Sequence, residues 1–584
     1  MRTYRVIALF VLVGSLLAFW LSPAALAASA GQLDPSFNTT GIALTNFGSD
    51  GLDTAGAMAI QPDGKYVVAG IHETAVAVPN NVASTTKVVT LVRFDHDGTL
   101  DPSFGTGGKV EIDLRSLYEA AYGDQVSFRG VGAIALQPGT GRIFVASGGD
   151  VENGFIGQNA VACFTAAGAP DTTWGHAGFV RVDDGSPASV PTSWQDDRRV
   201  LVAQPDGKLL FASTVHTLIH GDDFTIFRLN ADGTPDASFG ANGNRQVDIA
   251  NGSQDQVEWM VLAGGGRIIV GGSCQGRDTA MAALTPNGAL DTSFGAGGKV
   301  VTSEDSGWAI DAALAPDGGL IAVGGRGPAS WLRRYTANGA LDTSFGTNAA
   351  PDGSALPPNG QTALFPPGSD ERTISVRTVT VQADGRIVIA GIKDSGYPTY
   401  NDIWVTRYSS TGLLDTLFGT NGRSVTDFGG ADDCAAVGVD AANNIVVAGY
   451  SLPSGSAGRE RLQARAAGAI GMGVARYVGL NRDKHKPSTK ATAARVIRGK
   501  WVTLRFRVLD PPPTCGRAFV KIVIMKGTKR IKAISLGKQK VNKALACRFK
   551  VTLKPGTYRY RVFAVDLAGN VATSIGSARL SVIK

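Results

Sequence analysis

Cysteine and histidine are scarce in this 584-residue chain, at five and six residues. Cys163, Cys274 and Cys434 stand far apart, and no two cysteines have metal-ligand spacing, which excludes zinc-ribbon and thiol-redox motifs. His216 and His220 have the i, i+4 spacing of a zinc helix but lack its glutamate and sit in β-rich sequence, so they read as loop residues. No Gly-x-Ser-x-Gly elbow occurs. Gly105–Lys109 and Gly295–Lys299 match a phosphate loop in composition only, since the spacing differs and strand rather than helix follows. No apolar run beyond residue 30 reaches the roughly 20 residues a spanning helix needs. Catalytic residues and cofactors are therefore expected to be absent. With 43% hydrophobic and 18% charged residues, wholesale disorder is excluded too.

Glycine is what the chain has in excess, 75 residues or nearly twice the usual share of roughly 7%. It follows no three-residue period, so it signals tight turns rather than a collagen helix. At the N-terminus, Arg2 and Arg5 precede an apolar run over Val6–Leu21, and Ala25-Leu26-Ala27 and Ala28-Ser29-Ala30 follow. That is the layout of a secretory signal peptide, residues 1–27, cleaved near Ala27 or Ala30. The expected location is outside the cell or at its surface, with no transmembrane span in the mature chain.

One phrase then recurs. Leu-Asp-x-Ser-Phe-Gly and looser copies place aspartates at 34, 101, 171, 236, 291, 342 and 415, with steps of 67, 70, 65, 55, 51 and 73. After each comes a short strand (a), such as Gly108–Ile112. Next is a hairpin (b, c) around Pro-Asp-Gly, as in Ala57–Gly70, and then a last strand (d), such as Leu91–Phe94. A lone four-stranded sheet of this size cannot shield both faces, so the repeats must pack on one another. Seven four-stranded units match an all-β, seven-bladed β-propeller over residues 31–479; a β-solenoid is the alternative fold. The signature rings Phe37, Phe104, Trp174, Phe239, Phe294, Phe345 and Phe418 are read as packing between blades. The aspartate orders its own turn, and the glycine permits it.

The paired Leu-Asp-x-Ser-Phe-Gly and Gln-Pro-Asp-Gly-Lys motifs resemble those of the delta-60 repeat family of secreted bacterial proteins. That resemblance implies a propeller-like exported domain and carries no catalytic residue over.

Strands alternate in direction, so turns b–c and d–a emerge at one end and connections a–b and c–d at the other. The b–c turn is the recurring Pro-Asp-Gly and d–a holds the signature. Length varies in the other two, at 71–87, 113–130, 347–373 and 450–470. Insertions gathered on one face of a repeat array mark its expected binding face. Acidic pairs at Asp196-Asp197, Asp222-Asp223, Glu304-Asp305, Asp370-Glu371 and Asp432-Asp433 are assigned to these loops. The Asp95-His96-Asp97-Gly98 turn is similar to a calcium loop, making Asp95 and Asp97 the candidate Ca2+ ligands.

After Gly479 the composition changes. Residues 480–584 carry a net charge of +22, against −15 for residues 1–479. A linker over 480–492 leads to alternating strands over 493–584 that suit a small β-sandwich. Gly556–Asp566, followed by Gly569-Asn570, resembles the penultimate strand of fibronectin type III and Ig-like modules. Period two turns Arg505, Arg507, Arg559 and Arg561 outward as a basic patch. In an exported chain Cys515 and Cys547 are the natural disulfide pair. The expected function is an envelope-associated binding or adhesion scaffold whose partners are an anionic cell-wall polymer or glycan, or a protein. Nucleic acid is not expected, for want of a reading motif. The rival readings are a hydrolase or lyase of extracellular polysaccharide using loop carboxylates, and a structural surface protein without specific ligand.

Overall fold

Each Pro-Asp-Gly hairpin becomes the centre of a four-stranded antiparallel sheet in the computed structural model of the chain. The structure describes residues 30–584 apart from 49–50, 77–83, 124–125, 152–156, 183–188, 191–198, 218–220, 251, 253, 276–277, 303–306, 326–328, 347, 350–354, 357–358, 366–373, 397–399, 453–470, 480–486, 511–516 and 567–571. The signal segment up to Ser29 lies outside them. Contacts divide the chain into two compact units, Met1–Gly479 and Leu480–Lys584.

The first unit is all β, in the manner of a β-propeller, with a single α-helix and a short 3-10 turn among the described residues. Sheet 1 consists of Gly51–Ile60, Tyr66–Val76, Ser84–Phe94 and Lys109–Ile112. Sheets 2 to 6 repeat the plan, with inner strands Val126–Leu136, Val200–Ala203, Asp255–Leu262, Ala309–Leu314 and Ile374–Val381. Sheet 3 adds the two-residue Ser189–Val190 beside its second strand. Sheet 7 joins Ala431–Val439, Ile445–Leu452 and Gly471–Tyr477 to Ile42–Thr45. Every inner strand contacts the inner strand of the next sheet, and that of sheet 7 contacts that of sheet 1, so the series closes on itself.

Two expectations are corrected here. A sheet is not one sequence repeat: it takes strands b, c and d from one repeat and strand a from the next. The signature therefore links third to outer strand within a sheet rather than sheet to sheet. In consequence the first strand a, Ile42–Thr45, has no sheet of its own and pairs with the last strand d. The in-phase repeats had given no sign of a swapped closing strand. Period two reports which residues alternate but is silent on which neighbour a strand pairs with.

The insertion over 113–130 is not plain loop. Helix α1 (Leu114–Tyr122) starts at the Asp113 cap, whose carboxylate accepts from the Arg115 and Ser116 amides, and ends at Gly123 in left-handed conformation. Leu114 and Tyr118 are buried against the core of sheets 1 and 2.

The second unit contains a three-stranded sheet, Ser488–Ala491, Trp501–Leu509 and Ala544–Lys550. Its five-stranded companion runs Ala494–Ile497, Gly576–Ile583, Gly556–Asp566, Arg517–Lys526 and Lys529–Lys540. Val502, Leu504, Phe506 and Val508 share one core with Val520, Ile522, Ile524 and Leu580 from the other sheet. The 480–492 linker is shorter than its composition suggests. Ser488–Ala491 is a strand, with Thr489 buried and its hydroxyl bonded to the Val562 carbonyl at 2.7 Å.

Candidate functional site

The signature end of the first unit is a ring of equivalent junctions. All seven signature rings are buried. The residue after each ring donates its backbone N–H to a carbonyl in the corresponding turn of the next sheet, at 2.6–3.0 Å. The pairs are Asn38 to Asp97, Gly105 to Ala167, Gly175 to Asp232, Gly240 to Asn287, Gly295 to Asn338, Gly346 to Thr411 and Gly419 to Ala30. The ring itself lies on the glycine of that next turn. At Gly288, with φ +86°, an added Cβ would stand 3.1 Å from the Phe239 ring, so the turn needs glycine for its backbone and for its neighbour.

An arginine completes every junction. Each signature aspartate accepts from its own serine or from the equivalent position through one oxygen, as Asp236 does from the Ser238 amide and hydroxyl. The other oxygen takes Arg476, Arg93, Arg142, Arg228, Arg267, Arg334 or Arg407, at 2.6–2.9 Å. The same guanidinium donates across the boundary to a carbonyl of the next turn, those of His96, Ala166, Ala231, Pro286, Ala337, Ser410 and Gly479 in that order. In four of the seven it also lies over the signature ring. Sequence reading missed these arginines, although Arg93, Arg228, Arg334 and Arg407 all stand eight residues before their aspartate. Where that place holds Cys163 or Ala283, the cation comes from the hairpin instead, as Arg142 or Arg267.

The channel along the inner strands has a volume of about 650 Å³ and is lined from all seven sheets. Equivalent positions supply Gly56, Gly132, Arg199, Glu258, Ile310, Arg377 and Ala435. In six of the seven the register shifts there, a β-bulge that turns the extra residue toward the channel. Its charges are held by neighbouring sheets. Arg199 donates to Asn159, Asp311 accepts from Thr378 and the Val379 amide, and Glu258 accepts from the Trp308 indole. Arg377 pairs with Asp433 at 3.4 Å.

The opposite end, where the varied connections leave the strands, carries two acidic clusters. Asp222-Asp223 and Asp432-Asp433 lie on strands Gly221–Leu229 and Ala431–Val439, not in loops as expected. Asp196-Asp197, Glu304-Asp305 and Asp370-Glu371 lie outside the described residues. The Asp95–Asp97 turn does not gather a cation cluster. Asp95 pairs with Lys65 at 3.0 Å, and Asp97 accepts from the Thr99 amide and hydroxyl. Among the described residues the acidic clusters are Asp223, Asp248, Asp255 and Asp402, Asp427, Asp432, each trio with one oxygen per residue within 4.8 Å of the others. Burial, then repulsion by Asp427 and Asp402, pushes the Asp432 carboxyl up to about 7, against a downward pull from the Ser451 hydroxyl and the Phe428 amide.

Three stretches of the chain match a family described as "Domain of unknown function (DUF5122) beta-propeller", at residues 204–239, 266–294 and 315–345. Each ends on a signature ring. No curated protein matches the chain. Among solved structures, the extracellular domain assigned to a hybrid two-component system of B. thetaiotaomicron is 11% identical with a TM-score of 0.34; the match covers 94% of this chain and 58% of that one. A second such domain from the same organism is 10% identical with a TM-score of 0.22, covering 90% and 68%. The CARDB domain of a Pyrococcus furiosus protein is 19% identical with a TM-score of 0.13, covering 17% and 97%. At such identities and scores these neighbours carry no argument about ligand or activity.

In the second unit Arg505, Arg507, Arg559 and Arg561 are all exposed, but they do not form one patch. Arg505 and Arg507 belong to the three-stranded sheet, Arg559 and Arg561 to the five-stranded one. Each sheet buries its other face in the shared core, so the two pairs point away from each other. Lys490, Arg548 and Lys550 join Arg505 and Arg507, and Arg548 lies over the ring of Trp501, which is 57% exposed. The strands of this sheet contain no acidic residue. Cys547 is buried, and Cys515, its expected partner, lies outside the described residues.

Proposed function

We propose that this chain is an exported binding scaffold built from a seven-bladed propeller of the delta-60 repeat kind. Its end opposite the signature turns offers the recognition surface, and a basic fibronectin type III-like sandwich holds it to an anionic cell-envelope polymer. The observation that carries the second part is the acid-free outer face of Lys490, Arg505, Arg507, Arg548 and Lys550 with its exposed Trp501. A polyanion laid on such a face displaces condensed counterions, so affinity should fall steeply with salt. The mature chain, titrated with purified poly(glycerol phosphate) wall polymer, should bind with log Kd linear in log salt. R505E/R507E should weaken binding roughly tenfold or more, while R559E/R561E on the other sheet should change it far less. Salt-independent binding, or an undiminished R505E/R507E chain, would remove the anchor. A polysaccharide-cleaving role draws no support from the acidic trios, because two carboxylates of each, Asp402 with Asp432 and Asp223 with Asp255, are buried.

The ring geometry also favours one of the two cleavage sites. Ala30 is buried and its carbonyl accepts from Gly419 at 2.8 Å, so cutting after Ala30 would remove a junction acceptor. Cutting after Ala27 leaves it in place. Intact mass of the exported protein should therefore give Ala28 as the first residue. A first residue of Gly31 would mean that this junction closes without Ala30. The same mass, taken before and after reduction, reads whether Cys515 and Cys547 are bridged.

A further inference from the structure

We propose that Asp402, Asp427 and Asp432, at the junction of sheets 6 and 7, form a binding site for a hard divalent cation of the Ca2+ type. Three strand ends create the cluster. Asp402 stands near the start of the third strand of sheet 6, Asp427 follows its outer strand, and Asp432 opens the inner strand of sheet 7. Their nearest oxygens all lie within 4.8 Å of one another. Oxygens on opposite sides of a Ca2+ ion stand roughly 5 Å apart, given ligand distances of about 2.3–2.6 Å. The spacing therefore suits a shared ion.

A second observation, independent of the acidic count, points into the same space. The Ser451 hydroxyl, on a fully buried residue directly across the sheet from Asp432, makes no hydrogen bond of good geometry. Asp402 is 7% exposed, receives no hydrogen bond or ion pair among the described residues, and keeps its Oδ1 unpartnered. Asp432, 1% exposed, has one oxygen committed to the Phe428 amide at 2.7 Å and the other unpartnered. Buried oxygens are normally satisfied, so three in one place call for a ligand that accepts lone pairs. Asp427 is exposed and gives the ion its way in.

Comparison with equivalent junctions narrows the assignment to this one. Between sheets 7 and 1 only the aspartate at the Asp432 position remains, as Asp53, and His72 is its partner at 2.7 Å. Between sheets 3 and 4 all three aspartates are present. There Asp223 accepts from Gln246 at 2.7 Å, and Lys299 reaches the Asp248 carbonyl. Among the described residues, the junction of sheets 6 and 7 has neither kind of help.

The test uses the whole mature chain and Ca2+ itself. Calorimetric titration should show binding, and the melting temperature should rise in Ca2+ relative to EDTA. D402N and D432N remove like charge from a crowded site, so each should melt in EDTA at or above the wild-type temperature. Each should lose roughly tenfold or more in Ca2+ affinity and with it the Ca2+-dependent shift. D223N, at the other trio, should keep both. No heat and no shift in the wild type would overturn the site, as would a D402N chain that responds to Ca2+ like wild type. A response abolished by D223N alone would move the ion elsewhere and also refute it.

Discussion

A chain that starts at Asn46 should fail to fold cooperatively, although it loses only one four-residue strand. In sheet 7, Ile42–Thr45 is the outer strand, held by the ladder from Ile42–Ala475 to Thr45–Met472. The segment before it supplies more. Phe37 is fully buried, Asp34 pairs with Arg476 at 2.9 Å, and Ala30 receives Gly419. Loss of a buried phenylalanine ring costs about 3–5 kcal/mol, and an arginine left buried without its carboxylate about 3–5 kcal/mol. These neighbouring losses do not add exactly. Together they still rival the whole stability of an ordinary domain, about 5–15 kcal/mol. The remedy follows from the geometry. Gly31 donates to Val478 and Val478 donates to Gln32, so the two ends of the first unit's ring lie side by side. Residues 28–45 inserted between Gly479 and Leu480 should restore a cooperative melt to the truncated chain. An unchanged melting curve on truncation would show that the ring does not depend on this closure.

The second large effect lies in a single oxygen. Asp236→Ala should destabilise the first unit by about 3–5 kcal/mol, the cost of breaking a buried ion pair from one side. Arg228 and Lys208 both hold the same Asp236 oxygen at 2.7 Å, and both Asp236 and Arg228 are buried. The more open Asp291–Arg267 pair should be worth less. Acid should reproduce the loss collectively. Burial alone would raise Asp101 and Asp236, but the Lys65 or Lys208 hydrogen bond, the serine and the arginine outweigh it and hold both well below the usual carboxylate range. Asp171, Asp291 and Asp342 are lowered as well, first by the hydroxyls of Thr173, Ser293 and Ser344. A carboxyl lowered in the folded state adds stability above its unfolded value of about 3.9 and loses it as pH falls below. Asp432, raised to about 7, should make urea midpoints climb as pH falls from neutrality to about pH 5, and the lowered carboxylates should make them fall steeply below about pH 4. The Asp236→Ala chain should show a shallower fall. A single-site cost below 1 kcal/mol, with no acid dependence, would show that the junctions are held by ring packing alone.

Much of this was readable in advance because it is local. Repetition of Leu-Asp-x-Ser-Phe-Gly exposed the number of units, alternation at Val502, Leu504, Phe506 and Val508 exposed a strand with one buried face, and the Asp–Ser turn was inferred from the aspartate's own reach. The candidate sites fared less well. Asp95 and Asp97 looked like ligands because of their spacing, yet Lys65, thirty residues away, takes one and the turn takes the other. Asp402, Asp427 and Asp432 carried no motif, since their proximity arises only when the start of one sheet meets the edge of another. The arginine of each junction left a faint signal in its eight-residue offset from the aspartate. Its second bond, to the next turn, had none.

The sequence alone determined the repeat, the turns, the faces of the strands and the opposite charges of the two parts, because each depends on residues a few positions apart. Tertiary structure decided which strands share a sheet, that the two ends of the first unit's ring meet at Gly31 and Val478, and that an acidic trio lies between sheets. Those outcomes depend on loop closure over tens to hundreds of residues, where free energy is set by packing between distant surfaces and no local pattern reports it.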